Sequence, residues 1–347
     1  MEQLVLKLFK DETESFSMWV RLYDIDHCWE SGAKLLLADK ASPLYYAALL
    51  GLESVLNSIL QIDTRDADPL KTVNAQAGVY GNVLQAASYG GHEKVVQMLL
   101  DRGADVNAQG GLYGSALQAA SLRGLEKAVQ MFLDRGADVN SHGGMYGSAL
   151  QAASLRGHEK VVQMLLDRDA DVNAQGGQGS ALQAASSEGH EKLVQMLLDR
   201  DADVNAQFGF SVNALQAASS RGHEKVVRML LDRGADVNAQ PLRGGNVLQA
   251  ASTNGHEKVV RMLLDHGADA NAQSGQYGSA LQAASSGGHE KVVQMLLDHG
   301  ADANAQSGQY GSALQAASSG GHENVVQMLL DRGADVSVSS SPRSFWV

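Results

Sequence analysis

Seven histidines stand at one recurring position: His92, His158, His190, His223, His256, His289 and His322. Imidazoles in a row could ligate zinc or pass protons, because histidine is both a common metal ligand and a general base near neutral pH. The spacing argues against both uses. Neighbouring copies would lie about 10 Å apart on packed helices, whereas one zinc ion gathers its ligands at about 2 Å. The same reasoning disposes of Ser/His/Asp constellations. These types recur in every copy, but a nucleophile and its base need one preorganised geometry. Cys28 has no distinguishing neighbour beyond His27 and reads as a structural thiol. The Asp-Arg-Gly-Ala-Asp turns, with Asp101 and Asp105, lack the crowded oxygen pattern of a calcium loop and read as solvated turn residues. No catalytic, cofactor-binding or metal-ligating residue is therefore assigned. Each histidine is expected to begin a helix and to bond backbone groups at the turn.

The elements that must carry these residues are set by an internal period. Leu-Gln-Ala-Ala-Ser recurs with its leucine at Leu84, Leu117, Leu150, Leu182, Leu215, Leu248, Leu281 and Leu314, at intervals of 33 residues except one of 32 after Leu150. Each copy holds two short helical segments separated by glycine. The first is Ala-rich, as at Ala119 and Ala120, and admits close neighbours. The second carries apolar residues at three- and four-residue spacing, as in Val95, Val96, Met98, Leu99 and Leu100. Gly103 follows, where a left-handed cap costs glycine little. Such a pair cannot bury its apolar surface alone, so copies must stack. Eight or nine would form a curved rod about 80 Å long.

Ser148-Ala149-Leu150-Gln151-Ala152-Ala153-Ser154-Leu155-Arg156-Gly157-His158, with Val162, Leu165, Leu166, Asn173 and the Gly103-Ala104-Asp105 turn, resembles the ankyrin family's Thr-Pro-Leu-His-x-Ala-Ala-x-x-Gly-His unit. The resemblance covers roughly residues 42–336. It implies an all-α ankyrin-repeat solenoid of helix-turn-helix units, about nine with the first degenerate. Ala or Val replaces the family's proline and Gln its histidine. Gln can still bridge backbone groups by hydrogen bonding, so the loop network is in question and the fold is not.

Three segments follow: a helical lead or cap over 1–40, the ankyrin array over 41–336, and a Ser-rich tail over 337–347 carrying Phe345 and Trp346. The degenerate first unit starts at Ser42-Pro43-Leu44, and a seven-residue insertion lies within 61–73. The lead-in Phe16-Ser-Met-Trp-Val-Arg-Leu-Tyr-Asp-Ile-Asp26, with Ala41-Ser-Pro-Leu-Tyr-Tyr-Ala47, is similar to the junction of fungal proteins that join a NACHT nucleotide-switch module to ankyrin repeats. That similarity implies a ligand-sensing arm of a defence or incompatibility protein, although this chain has no Gly-x-x-x-x-Gly-Lys-[Ser/Thr] loop.

A formal charge of −12 over 347 residues, with no Lys/Arg run, argues against nucleic-acid binding. A single cysteine points to a reducing compartment. No apolar stretch reaches signal-peptide or membrane-spanning length. The expectation is an intracellular, cytoplasmic, monomeric protein without cofactor or membrane contact. Its partner would be another protein, held on a concave face, and the enzyme class is the rival reading.

Because framework positions barely change, the variable ones carry the information. The resemblance implies that partners meet the finger loops and the exposed ends of first helices. Those positions hold Tyr89, Leu112, Leu122, Arg123, Met145, Leu155, Arg156, Phe208, Phe210, Arg221, Leu242 and Arg243. A strip of aromatic, Leu, Met and Arg residues has the composition of an interface hot spot. Tyr113, Tyr146, Tyr277 and Tyr310 recur and are read as packing between loops. Asp169 and Asp201 replace the capping glycine, and a local bend or soft joint is expected near 167–213.

Overall fold

The computed structural model describes residues 41–62, 70, 73–177, 179–207, 213–239, 245–276 and 278–336. The lead, the tail and most of the expected insertion lie outside them. Among the described residues stand nine helix pairs, from Pro43–Leu49 with Glu53–Ile62 to Ala313–Gly320 with Glu323–Asp331. The described residues form two compact halves that meet in sequence between Ala181 and Leu182. Repeats are numbered here by helix pair, so Val83–Gly90 and Glu93–Asp101 form repeat 2.

First helices start where a short polar side chain can accept an orphan N–H. Asn82, Ser115 and Ser148 accept from the backbone N–H of Gln85, Gln118 and Gln151 at 2.8, 3.2 and 3.2 Å. In the degenerate repeat, Pro43 takes the first helical turn behind the Ser42 cap. They stop at Gly91, Gly124 and Gly157, all left-handed. Second helices bury Val95, Val96, Leu99 and Leu100 on one face, and Glu93 sits in the first turn beside the positive end of the helix dipole. Within each half, first helices of consecutive repeats pack on one another, as do second helices.

Within each half, polar clips join consecutive repeats. Gln85 Nε2 donates to the carbonyls of Ala108, Gly110 and Gly114 at 3.3, 3.1 and 2.9 Å. Gln118 and Gln282 repeat the pattern, so glutamine does build the loop network. Asn107 donates to Gly136 O and accepts from Asp138 N at 3.1 and 2.8 Å, and Asn140, Asn205, Asn271 and Asn304 do the same one repeat on. The fingers between repeats close as short antiparallel hairpins, Gln76–Ala77 with Gly81–Asn82 and bridges such as Gly110 to Gly114 and Gly143 to Gly147.

The second helix ends carry a ladder of ions. Arg135, Arg168, Arg233 and Arg332 reach Asp101, Asp134, Asp199 and Asp298 of the preceding repeat at 2.7, 2.7, 2.6 and 2.6 Å. Asp101 is thus paired rather than merely solvated. The hydrogen bond from the following arginine, then one from the glutamine a turn earlier, hold each of these carboxyls below its ordinary value. A lowered folded-state pKa stabilises above the unfolded carboxylate value of 3.8 and is lost as pH falls through the folded value. The unfolding temperature is expected to stay level as the solution is acidified to about pH 4 and to fall below it. Calorimetry at stepped pH would show this, and a decline complete by pH 5 would contradict it.

Asp169 and Asp201 take the left-handed conformation at φ 60° and 62°, where other repeats use glycine at about 80°. At the equivalent Gly136, Gly234, Gly267, Gly300 and Gly333 an added Cβ meets nothing within 4 Å. Only backbone strain is at issue, and aspartate tolerates it better than most residues. Asp169→Gly with Asp201→Gly is expected to stabilise by up to about 1 kcal/mol per site, read as a higher urea midpoint. An unchanged or lower midpoint would show that the strain is negligible.

Candidate protein-binding face

Nε2 of His92, His158, His223, His256, His289 and His322 lies 2.9–3.1 Å from a first-helix carbonyl of the preceding repeat, at Leu49, Leu122, Ser187, Ser220, Thr253 and Ser286. A carbonyl only accepts, so each ring donates from Nε2. These imidazoles bond backbone groups as expected, but across the repeat junction and without a side-chain cap bond to their own helix. In repeat 3 Leu125 takes the position. Among the described residues no group of three or more His, Cys, Asp or Glu could hold a metal ion.

A tyrosine stack backs the other face in the first half. Tyr80 is buried, and its N–H donates to Tyr45 Oη at 3.2 Å. Its ring stacks on Tyr89 at 4.3 Å, Tyr89 stacks on Tyr113 at 5.0 Å, and Tyr113 on Tyr146 at 6.0 Å. Tyr113 and Tyr146 therefore pack between loops, as their recurrence suggests. Burial, and then hydrogen bonding to Tyr89, push the Tyr113 hydroxyl far above its ordinary value, while the positive charge of Arg156 pulls the other way. Tyr277 lies outside the described residues.

The guanidinium of Arg123 lies 5.3 Å from the centre of the Tyr89 ring, a cation–π placement. Met145, at the next finger tip, is 45% exposed. Its N–H donates to Leu112 O at 2.9 Å, and the Leu112 N–H donates to Val79 O at 2.8 Å, so three successive fingers share one line of backbone bonds. Leu112, Tyr89 and Leu155 are half-buried, and Arg123, Arg156 and Arg221 are exposed. Arg221 pairs with Glu188 at 2.7 Å in the second half.

Leu122 is corrected. It is only 5% exposed, so it cannot present a contact surface. Its helix Ala116–Arg123 is flanked on both sides by the first helices of repeats 2 and 4, and the side chain belongs to the core. Phe208, Phe210, Leu242 and Arg243 lie outside the described residues. Sequence reasoning missed Tyr80, although it stands 33 residues before Tyr113 in the register of the recurring tyrosines. It also missed the Arg–Asp ladder, whose signal was the Asp-Arg pair ending most second helices.

Paired helices, interlocked glutamine and asparagine clips and hydrogen-bonded fingers define a repeat solenoid of the ankyrin class. The chain belongs to the ankyrin-repeat family. The family profile described as Ankyrin repeats (3 copies) matches residues 44–142, 83–176, 116–208, 182–274 and 272–340. A curated relative, the azaphilone pigments biosynthesis cluster protein L of Monascus ruber, is 54% identical over 109 residues, which are 30% of this chain and 23% of that protein. The match thus spans less than a quarter of that relative's length. Among solved structures, the human ASB11 ankyrin repeat domain is similar with a TM-score of 0.56 and 25% identity, over 62% of this chain and 96% of that one. Ankyrin repeats generally mediate protein–protein interaction, and the fold is typically non-catalytic. Among the described residues no helix is long and apolar enough to cross a membrane.

Proposed function

We propose that this chain is a non-catalytic scaffold that binds a protein partner on the face formed by first-helix ends and finger tips of repeats 2–4. One observation carries the reading: exposed Arg123, Met145 and Arg156 stand with half-buried Tyr89 and Leu155 on a backing fixed by the tyrosine stack and the shared finger bonds. Because that backing is already ordered, little conformational freedom is lost on binding. The face offers contact surface built from arginine, aromatic and aliphatic side chains, which supports binding as its role.

The test is affinity capture with the wild-type chain and with a variant carrying Arg123→Ala, Met145→Ala, Leu155→Ala and Arg156→Ala. Circular dichroism would verify that the variant folds. Loss of specific partners by the folded variant is expected. An identical set retained at equal affinity would remove this face from consideration.

A second reading, the sensing arm of a nucleotide-switch protein, rests on the lead-in at residues 16–26. Those residues lie outside the described ones and before the stretch that the family profile matches. A phosphate-loop module in the same reading frame would support it.

A further inference from the structure

Two arginines on this face differ from the rest of the inter-repeat set. Arg135, Arg168, Arg233 and Arg332 close on aspartates, Arg221 on Glu188, and Arg102 on Asn57. Arg123 and Arg156 have no carboxylate within ion-pairing distance among the described residues, yet both are exposed. They occupy the same position, the last residue, in two consecutive first helices that pack together, Ala116–Arg123 and Ala149–Arg156. The two helix ends that carry them therefore lie about one helix-to-helix spacing apart, roughly 10 Å. In other repeats the matching position holds Leu50, Gly90, Glu188, Arg221, Asn254, Gly287 or Gly320. Arg221 is neutralised by its bond to Glu188, so the uncompensated pair is local to repeats 3 and 4.

Arginine–carboxylate pairs between repeats recur along this chain of formal charge −12. Tyr89 lies under the Arg123 guanidinium, and Leu155 and Met145 lie beside the pair in sequence and finger register. A guanidinium over a ring face is held in plane without having its donors consumed. Those donors suit a carboxylate fork. An extended chain in the polyproline II conformation advances about 3.1 Å per residue with about three residues per turn, so side chains three positions apart share one face and stand about 9 Å apart.

We propose that this face reads an extended acidic peptide segment, with two carboxylates three residues apart on Arg123 and Arg156 and apolar residues between them. The proposal rests on the binding face argued above and names the chemistry of its partner. A long polyanion is disfavoured, because beyond the pair it meets the acidic remainder of the chain.

The test uses the full chain and a fluorescein-labelled peptide, Gly-Ser-Asp-Leu-Leu-Asp-Ser-Gly-amide, read by fluorescence anisotropy at low salt. A control peptide has both Asp replaced by Asn, and another has the two Asp adjacent. The Asp-x-x-Asp peptide is expected to bind about tenfold more tightly than the Asn control, a ratio matching two exposed charge-assisted contacts. Added salt should shrink the ratio. Arg123→Gln and Arg156→Gln should each remove about a threefold share of it, while Lys127→Gln on the second helix of repeat 3 should leave it alone. Equal binding of Asp and Asn peptides, no binding of either, or indifference to both arginine changes would overturn the proposal. The two readings fail separately. Equal peptide binding alongside partner loss in the four-site variant discards the acidic segment and keeps the face, whereas unchanged capture discards the face itself.

Discussion

Phe132→Ala is expected to destabilise the first half by about 3–5 kcal/mol, the range for deleting a buried aromatic ring. Phe132 is 0% exposed and occupies the place that Leu99 holds in repeat 2 and Leu165 in repeat 4, all three fully buried. Leucine at that place in its neighbours shows what the fold accepts there, so Phe132→Leu should cost less than about 1.5 kcal/mol. Urea unfolding followed by helical circular dichroism would read both changes. A repeat array contacts itself only through neighbours, so the alanine variant is expected to unfold in a broadened or stepped transition. A loss under 1 kcal/mol would mean that second-helix packing is not what holds the repeats together.

The second large effect contrasts two glycines. Gly144 has φ 61°, and a Cβ there would sit 2.3 Å from the carbonyl carbon of Tyr113 and 2.5 Å from the nitrogen of Gly114, both backbone atoms of the preceding finger. Gly136 has φ 79°, with nothing within 4 Å of an added Cβ. Both alanine variants carry the left-handed strain of about 1 kcal/mol. Only Gly144→Ala adds a backbone collision, and close overpacking costs a further 1–3 kcal/mol or so. Gly144→Ala should therefore lower stability by about 2–4 kcal/mol and Gly136→Ala by about 1. Gly144→Ala should also weaken partner capture, because Met145 and its bond to Leu112 lie next in the finger. Equal losses at both sites would show that the fingers yield freely.

The repeat architecture was legible because one physical requirement, burial of an apolar helix face, is met by the same residue types at the same interval. Leu84 through Leu314, the glycines after most helices and the Gln and Asn at fixed places recur with it. The side that each variable residue faces was less legible. Leu122 and Leu155 occupy the same motif position, yet the first is buried and the second half-buried. Burial there depends on the residues of adjacent repeats, which a position within one repeat does not encode. Arg123 and Arg156 were singled out by departure from the framework, but the contrast with Arg221 emerged only from geometry: Arg221 pairs with Glu188 one repeat earlier, and the place of Glu188 is held by Gly90 before Arg123 and by Arg123 before Arg156. Asp169 and Asp201, read as replacements for the capping glycine, take the left-handed conformation that glycine adopts at that place in the other repeats.

The central claim is that a partner is held on the face of first-helix ends and finger tips, away from the second helices. Site-specific photocrosslinking addresses it most directly. A benzoylphenylalanine placed at position 145, on the finger tip, or at position 127, on a second helix where Lys127 pairs with Glu93 at 3.4 Å, would be irradiated in the presence of captured partner. The account predicts an adduct from position 145 and none from position 127. An adduct from position 127 alone would contradict it.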